Sequence, residues 1–236
     1  MFGGLPATSY TVNSNLQITA TAPARTAGTF DVTVTNPSGT STTSTADQYT
    51  YTNAQTSTVG VYRNGAFYLA SSNTNDGGTV NAFSFGQSGD VPVAGDWTGS
   101  GKDIVGIFRN GTFFLASSNT NGGGTVTGFM FGTTGDVPIA GHWTPGASDT
   151  VGIFRKGTFY LASANQNNGG TVTGFTFGTT GDIPVVGDWT GSGKDTVGVF
   201  RNGVFYLASA NQNNGGTITG FTFGQTGDNP VTGTWS

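Results

Sequence analysis

From Val59 to Ala70 the chain reads Val-Gly-Val-Tyr-Arg-Asn-Gly-Ala-Phe-Tyr-Leu-Ala, two short runs of strand-forming residues on either side of Asn64-Gly65. Asn-Gly between two such runs is a strong short-range signal for a two-residue hairpin with a type I′ turn. With that dipeptide at the tip, Tyr62 faces Phe67 and Gly60 faces Leu69, which makes one side of the ribbon. Val61, Arg63, Tyr68 and Ala70 make the other. Both sides are largely apolar, as expected of a sheet sandwiched between two others rather than one wetted on one face.

The hairpin begins again at Val105, Val151 and Val197, a step of 46 residues each time. A second segment, Gly89-Asp-Val-Pro-Val-Ala-Gly-Asp-Trp97, keeps the same step, with copies ending at Trp143, Trp189 and Trp235. Each repeat holds four predicted strands, in the second repeat Val91–Trp97, Ile104–Arg109, Thr112–Ser117 and Thr125–Phe131. Four short strands in a step of roughly 40–50 residues is the size of one β-propeller blade, a unit that must stack on its neighbours to bury its faces. The first repeat has no strand of the Val91–Trp97 type before Val59, while an extra one stands at Asn229–Trp235. The pattern therefore predicts an all-β chain whose residues 59–236 form a four-bladed β-propeller closed by the C-terminal strand. The rival arrangement is half of an eight-bladed ring made by two chains.

Residues 1–52 read differently. Strand-like segments at Thr8–Val12, Gln17–Ala22 and Thr29–Thr35 are separated by Pro and Gly punctuation, and Asp47–Thr52 closes the region before a linker at 53–58. Phe2-Gly-Gly through Ala22-Pro23, Gly28-Thr-Phe-Asp-Val-Thr-Val and Gln48-Tyr-Thr-Tyr resemble the second half of a bacterial IPT/TIG domain, an immunoglobulin-like β-sandwich. The opening strands of that family have no counterpart here. A half sandwich leaves an apolar face and an unpaired edge. The resemblance implies a partial sandwich, a fragment of a longer surface protein in which such domains act as spacers or stalks.

Composition narrows the function classes. Only 8% of the 236 residues are charged, with a net charge of −4 and no basic cluster, which argues against a nucleic-acid partner. No run approaches the ~20 apolar residues of a membrane helix, so no membrane insertion is expected. Met1-Phe2-Gly3-Gly4 has neither a basic start nor an apolar run, so no signal peptide is read there. The chain has no Cys, which excludes disulfide and thiol chemistry and fits an extracellular bacterial surface protein.

The loop Gly95-Asp-Trp-Thr-Gly-Ser-Gly-Lys-Asp103 followed by Val105-Gly-Ile-Phe-Arg109 resembles the FG-GAP/VCBS group of bacterial propeller repeats, and the likeness extends over all four copies. In that group the loop commonly binds calcium. Here Asp96 and Asp188 fill the first ligand position, but Thr98 and Ser100 replace later ones, and Asp103 and Asp195 stand one place early. Calcium wants six to eight oxygens, usually with several carboxylates. A plain turn whose Asp bonds the backbone is the reading preferred to a weak calcium site, and no cofactor is expected. Gly99-Ser-Gly-Lys102 imitates a phosphate loop, but Asp follows the Lys and a strand follows the loop, so nucleotide binding is set aside.

Four further sets recur once per blade. Arg63, Arg109, Arg155 and Arg201 match Asp90, Asp136, Asp182 and Asp228 in number, and a sheet covered on both faces cannot bury Arg unpaired. The pattern predicts a structural ring of ion pairs, each Arg on an Asp or on the aromatic at 68, 114, 160 or 206; an anionic or sugar ligand is the alternative. Trp97, Trp143, Trp189 and Trp235 are either buried between blades or, beside Asp96, His142 and Asp188, offer a stacking face for a sugar. His142 is the single histidine and takes the place of Asp96 and Asp188.

Catalysis normally needs distinct groups with shifted pKa values on loops that differ, whereas these loops are near copies and the chain has no Glu. The chain is therefore read as no enzyme. Equivalent sites suit multivalent binding, so the expectation is an extracellular adhesion module binding a polysaccharide or glycan with one site per blade. A structural scaffold, or a module binding a protein partner within a larger surface protein, is the alternative.

Overall fold

A computed structural model describes residues 1–23, 28–51, 58–143 and 148–232. The chain divides into two units, Met1–Thr56 and Ser57–Ser236.

In the first unit the strands are β1 (Ser9–Ser14), β2 (Gln17–Thr21), β3 (Gly28–Asp31), β4 (Thr35–Asn36), β5 (Gly39–Thr40) and β6 (Gln48–Tyr51). They pair in twos, β1 with β2, β3 with β6 and β4 with β5, all antiparallel. Phe2 is the buried anchor, set edge-on to Tyr49 at 5.2 Å between ring centres. Tyr10, Val12, Leu16 and Ile18 on the first hairpin stay exposed. Three separate ribbons are present where a partial sandwich was expected, because the described residues supply no second sheet to cover β1 and β2.

The second unit is built from four blades. Blade one holds β7 (Gly60–Arg63), β8 (Ala66–Ala70) and β9 (Val80–Ser84). Blade two holds β10 (Val91–Gly95), β11 (Ile104–Arg109), β12 (Thr112–Leu115) and β13 (Thr127–Met130). Blade three holds β14 (Val137–Gly141), β15 (Thr150–Arg155), β16 (Thr158–Ala162) and β17 (Val172–Thr176). Blade four holds β18 (Ile183–Gly187), β19 (Thr196–Arg201), β20 (Val204–Ala208) and β21 (Ile218–Thr222). Each sheet is an antiparallel meander in chain order. The arrangement is all-β and that of a four-bladed β-propeller.

The hairpin register follows from the turn. Asn110 (φ 49°) and Gly111 (φ 86°) both take positive φ, so Arg109 pairs with Thr112 and Phe108 with Phe113. The third copy keeps this geometry with Lys156 (φ 48°) in place of Asn. In blade one Tyr62 pairs with Phe67 and Gly60 with Leu69. This register lines up three aromatics across each sheet, in blade three Phe154, Phe159 and Phe175 with centres 4.7 and 5.7 Å apart.

The two faces of a blade differ. The aromatic face of blade two, with Phe113, Phe129 and Phe131, packs on Val151, Ile153 and Ala162 of blade three. Phe159, Phe175 and Phe177 of blade three pack in the same way on Val197, Val199 and Ala208 of blade four, and blade one repeats the pattern on Val105, Ile107 and Ala116. Burial of apolar area at about 25 cal/mol per Å² is thus repeated three times, once per junction. The inner strands β10, β14 and β18 touch in sequence.

Closure through the C-terminal strand is not found among the described residues. Blade one has three strands, and Asn229–Thr232 forms no ladder. The Thr232 hydroxyl instead donates to the Val186 carbonyl at 2.9 Å, which sets this segment beside β18. Val59 and Val61 on blade one stay exposed, as do Phe221, Phe223 and Val231 at the other end. Trp235 lies outside the described residues.

Candidate functional site

The residues that recur in the sequence gather at two places on each blade. The first is the outer end of the hairpin. Asp90, Asp136 and Asp182 stand just before β10, β14 and β18, and the antiparallel pairing brings each level with the arginine that ends the next strand. Arg109 Nε lies 2.6 Å from Asp90 Oδ1 and its Nη2 2.6 Å from Oδ2. Arg155 grips Asp136 and Arg201 grips Asp182 with the same two-pronged geometry. The carboxylates are buried, and each also accepts a backbone N–H, from Gln87, Thr133 and Thr179. Each guanidinium lies 5.4 Å over the ring of Phe114, Tyr160 or Tyr206. Arg63 lies 5.5 Å over Tyr68. No ion pair joins Arg63 to Asp228 among the described residues; Asp228 accepts the Gln225 N–H.

The second place is the loop after the inner strand. Asp96 folds back on its own turn and accepts N–H groups from Thr98, Ser100 and Gly101, and Asp188 does the same with Thr190, Ser192 and Gly193. These bonds hold both carboxyls below the ordinary carboxylate value; at Asp96 they outweigh the effect of burial. Both oxygens of each carboxylate accept N–H groups of the loop, and no group of three or more His or Asp that could hold a metal occurs among the described residues.

His142, which replaces Asp in the third blade, keeps the backbone contact of this position and differs in its side chain. Its N–H donates to Asp195 Oδ2 at 2.9 Å, its carbonyl accepts the Asp195 N–H at 2.9 Å, and its Nδ1 lies 3.5 Å from Asp149 Oδ1. Asp96 and Asp149 are joined by the same reciprocal pair of bonds at 2.9 and 2.8 Å. Asp149 and Asp195 are thus clamps between successive blades. Asp149 and Asp195 recur with Asp103 at the 46-residue step.

The indoles are half-buried rather than free. Trp97, Trp143 and Trp189 pack against the cores of the stack. Each ring lies so close to the glycine two residues before it that a Cβ there would sit 2.5–2.8 Å from ring carbons. This explains the Gly-x-Trp spelling. Trp143 Nε1 donates to the Ala162 carbonyl and Trp189 Nε1 to that of Val197, both inward. Trp97 Nε1 is buried without a hydrogen-bond partner.

Electrostatics around the clamp give a testable pH dependence. Burial, then the charges of Asp149, Asp96 and Asp195, push the Asp103 carboxyl above its ordinary value, although the residue keeps contact with solvent. Asp149 is also raised, by burial and by Asp195 and Asp96, against the Asp96 N–H and His142. Asp90, Asp136 and Asp182 move the other way, since the arginine and backbone bonds outweigh burial. A carboxyl raised by folding contributes stability at low pH that is lost as pH rises through its folded value; a depressed one contributes stability above about pH 4 that is lost below it. Stability is expected to rise as pH falls from neutral through the raised range of Asp103 and Asp149, then to drop below about 4 as the depressed carboxylates protonate. Urea titrations across this range test it, and Asp149→Asn should flatten the upper limb. A steady decline in the parent chain from pH 7 downward would contradict these directions.

Comparison with protein-family models, curated proteins and solved structures finds no match for this chain.

Proposed function

We propose that the chain is a non-enzymatic scaffold and protein-interaction module of a bacterial surface protein, with FG-GAP/VCBS-like blades carried on an IPT/TIG-like segment. One observation carries this reading: most of the repeated groups in the described blades are engaged in the architecture. Arg109, Arg155 and Arg201 hold buried carboxylates, Asp96 and Asp188 close their own turns, and Trp97, Trp143 and Trp189 pack against the cores. Near-identical loops also suit a carrier better than a reaction site, where roles differ between residues. No described helix is long and apolar enough to cross a membrane. The extracellular location rests on the absence of Cys and on a surface rich in Thr, Ser, Asn and Gly.

A second reading, multivalent glycan binding, is favoured by the partial exposure of Trp97, Trp143 and Trp189 beside Asp96, His142 and Asp188. A glycan array followed by calorimetric titration with polysaccharides separates the two. The scaffold reading expects no saturable heat. Saturable binding at about one site per blade, weakened by Asp188→Asn, would replace it with the glycan reading.

A further inference from the structure

The three junctions inside the stack are copies of one another, and the stack ends with half of a junction at each side. On the aromatic face of blade four, Phe221 is 44% exposed, Phe223 74% and Val231 74%, whereas Phe175, Phe177 and Val185 at the same repeat positions are 4–6% exposed. These residues border an apolar groove floored by Trp189, Phe200 and Phe205. On the aliphatic face of blade one, Val59 and Val61 are 58% and 55% exposed, against 3% and 2% for Val105 and Ile107. The polar partners are divided in the same way. Asp228 stands where Asp182 holds Arg201, and Arg63 stands where Arg201 does. The Thr176 N–H is capped by Asn213 of the next blade, and Met130 and Ser84 by Asn167 and Asn121. Thr222 and Asn75 hold the corresponding positions at the two ends.

We propose that the aromatic face of blade four docks on blade one of a second copy of this chain, whose β7 receives the Asn229–Thr232 segment as its missing neighbour. The occupant is identified by complementarity. Among the described residues no ladder or core cluster joins blade one to blade four, and the partner face that blade four lacks is the one blade one presents. Transferring the β18–β19 register predicts Asn229 opposite Tyr62, Pro230 opposite Val61, Val231 opposite Gly60 and Thr232 opposite Val59, with Asp228 on Arg63. The contact is head-to-tail, and two of them about a two-fold axis use up both faces of both chains. It holds whether or not either chain binds another ligand.

Charge exchange tests this without touching the core. The parent chain should sediment at twice its monomer mass at micromolar concentration. Asp228→Arg alone and Arg63→Asp alone should each weaken association by about tenfold or more, since each sets like charges face to face. An equimolar mixture of the two variants should regain the dimer, because one contact then carries the original pair and the other the reversed pair. Register is read with single cysteines, for which a chain without Cys is well suited: a Val61→Cys chain mixed with a Pro230→Cys chain should form a mixed disulfide of dimer mass. A parent chain that remains monomeric would overturn the proposal. So would a Val61→Cys/Pro230→Cys double variant that crosslinks only within itself at monomer mass, which would mean that the chain closes on its own.

Discussion

Replacing Phe159 with alanine is expected to lower the unfolding free energy by about 3–5 kcal/mol. The ring is fully buried, at 0% exposure. It lies between Phe154 and Phe175 in the middle of blade three, on the face pressed against Val197 and Val199 of blade four. Truncation removes the transfer energy of the ring and leaves a hole that a sheet held by ladders on both sides cannot collapse to fill. The same change at Phe205 should cost less. That ring occupies the equivalent position in the last blade, is 8% exposed and faces Phe221, which is itself open to solvent. In a quasi-one-dimensional stack the value of a residue depends on whether its junction is complete. Chemical denaturation of both variants, at concentrations low enough to keep the chain monomeric, gives the comparison directly. Equal losses at the two positions would contradict it.

Removing the carboxylate of Asp136 is the second large effect. In Asp136→Ala the Arg155 guanidinium loses both of its charge-assisted bonds, and the Thr133 N–H loses its acceptor. Hydrogen bonds to charged groups are worth about 1.5–3 kcal/mol each at most, and Arg155 is 39% exposed and recovers part of its hydration. The expected loss is therefore about 2–3 kcal/mol rather than the larger figure for a fully buried pair. Asp228→Ala in the monomeric chain is the control, since Asp228 holds no arginine there, and its cost should be within about 0.5 kcal/mol of zero. A small effect at Asp136 would show that the pair contributes geometry and little energy.

Much of this architecture was legible in the order of residues. The Asn-Gly tip and the alternation around it specify the hairpin register, and Ile104–Arg109 emerges as the strand expected. The recurring Arg and Asp predict an Arg on an Asp or on an aromatic in each blade; ion pairs form at Arg109, Arg155 and Arg201, where strand pairing sets residues 19 apart side by side, while Arg63 lies over Tyr68. The outer strand expected at Thr125–Phe131 spans Thr127–Met130, because the glycine-rich turn before it and the junction after it take the end residues. The Trp position and the glycine two residues before it recur together at the 46-residue step, but that each indole lies against Gly95, Gly141 or Gly187 is decided by the side chain folding back on its own strand. The clamps at Asp149 and Asp195 were hidden because their partners are backbone groups of another blade, to which the sequence pattern is blind.

Local chemistry alone determined the repeating unit, since turn residues and the side-to-side alternation of a strand act over a few positions and need no distant partner. How many units close a ring is decided by the small rotation at each junction, which depends on how a row of phenylalanines settles on a row of valines and isoleucines. That rotation is written in no single residue. Four near-identical steps can therefore promise a circle while, among the described residues, no ladder joins the first blade to the last.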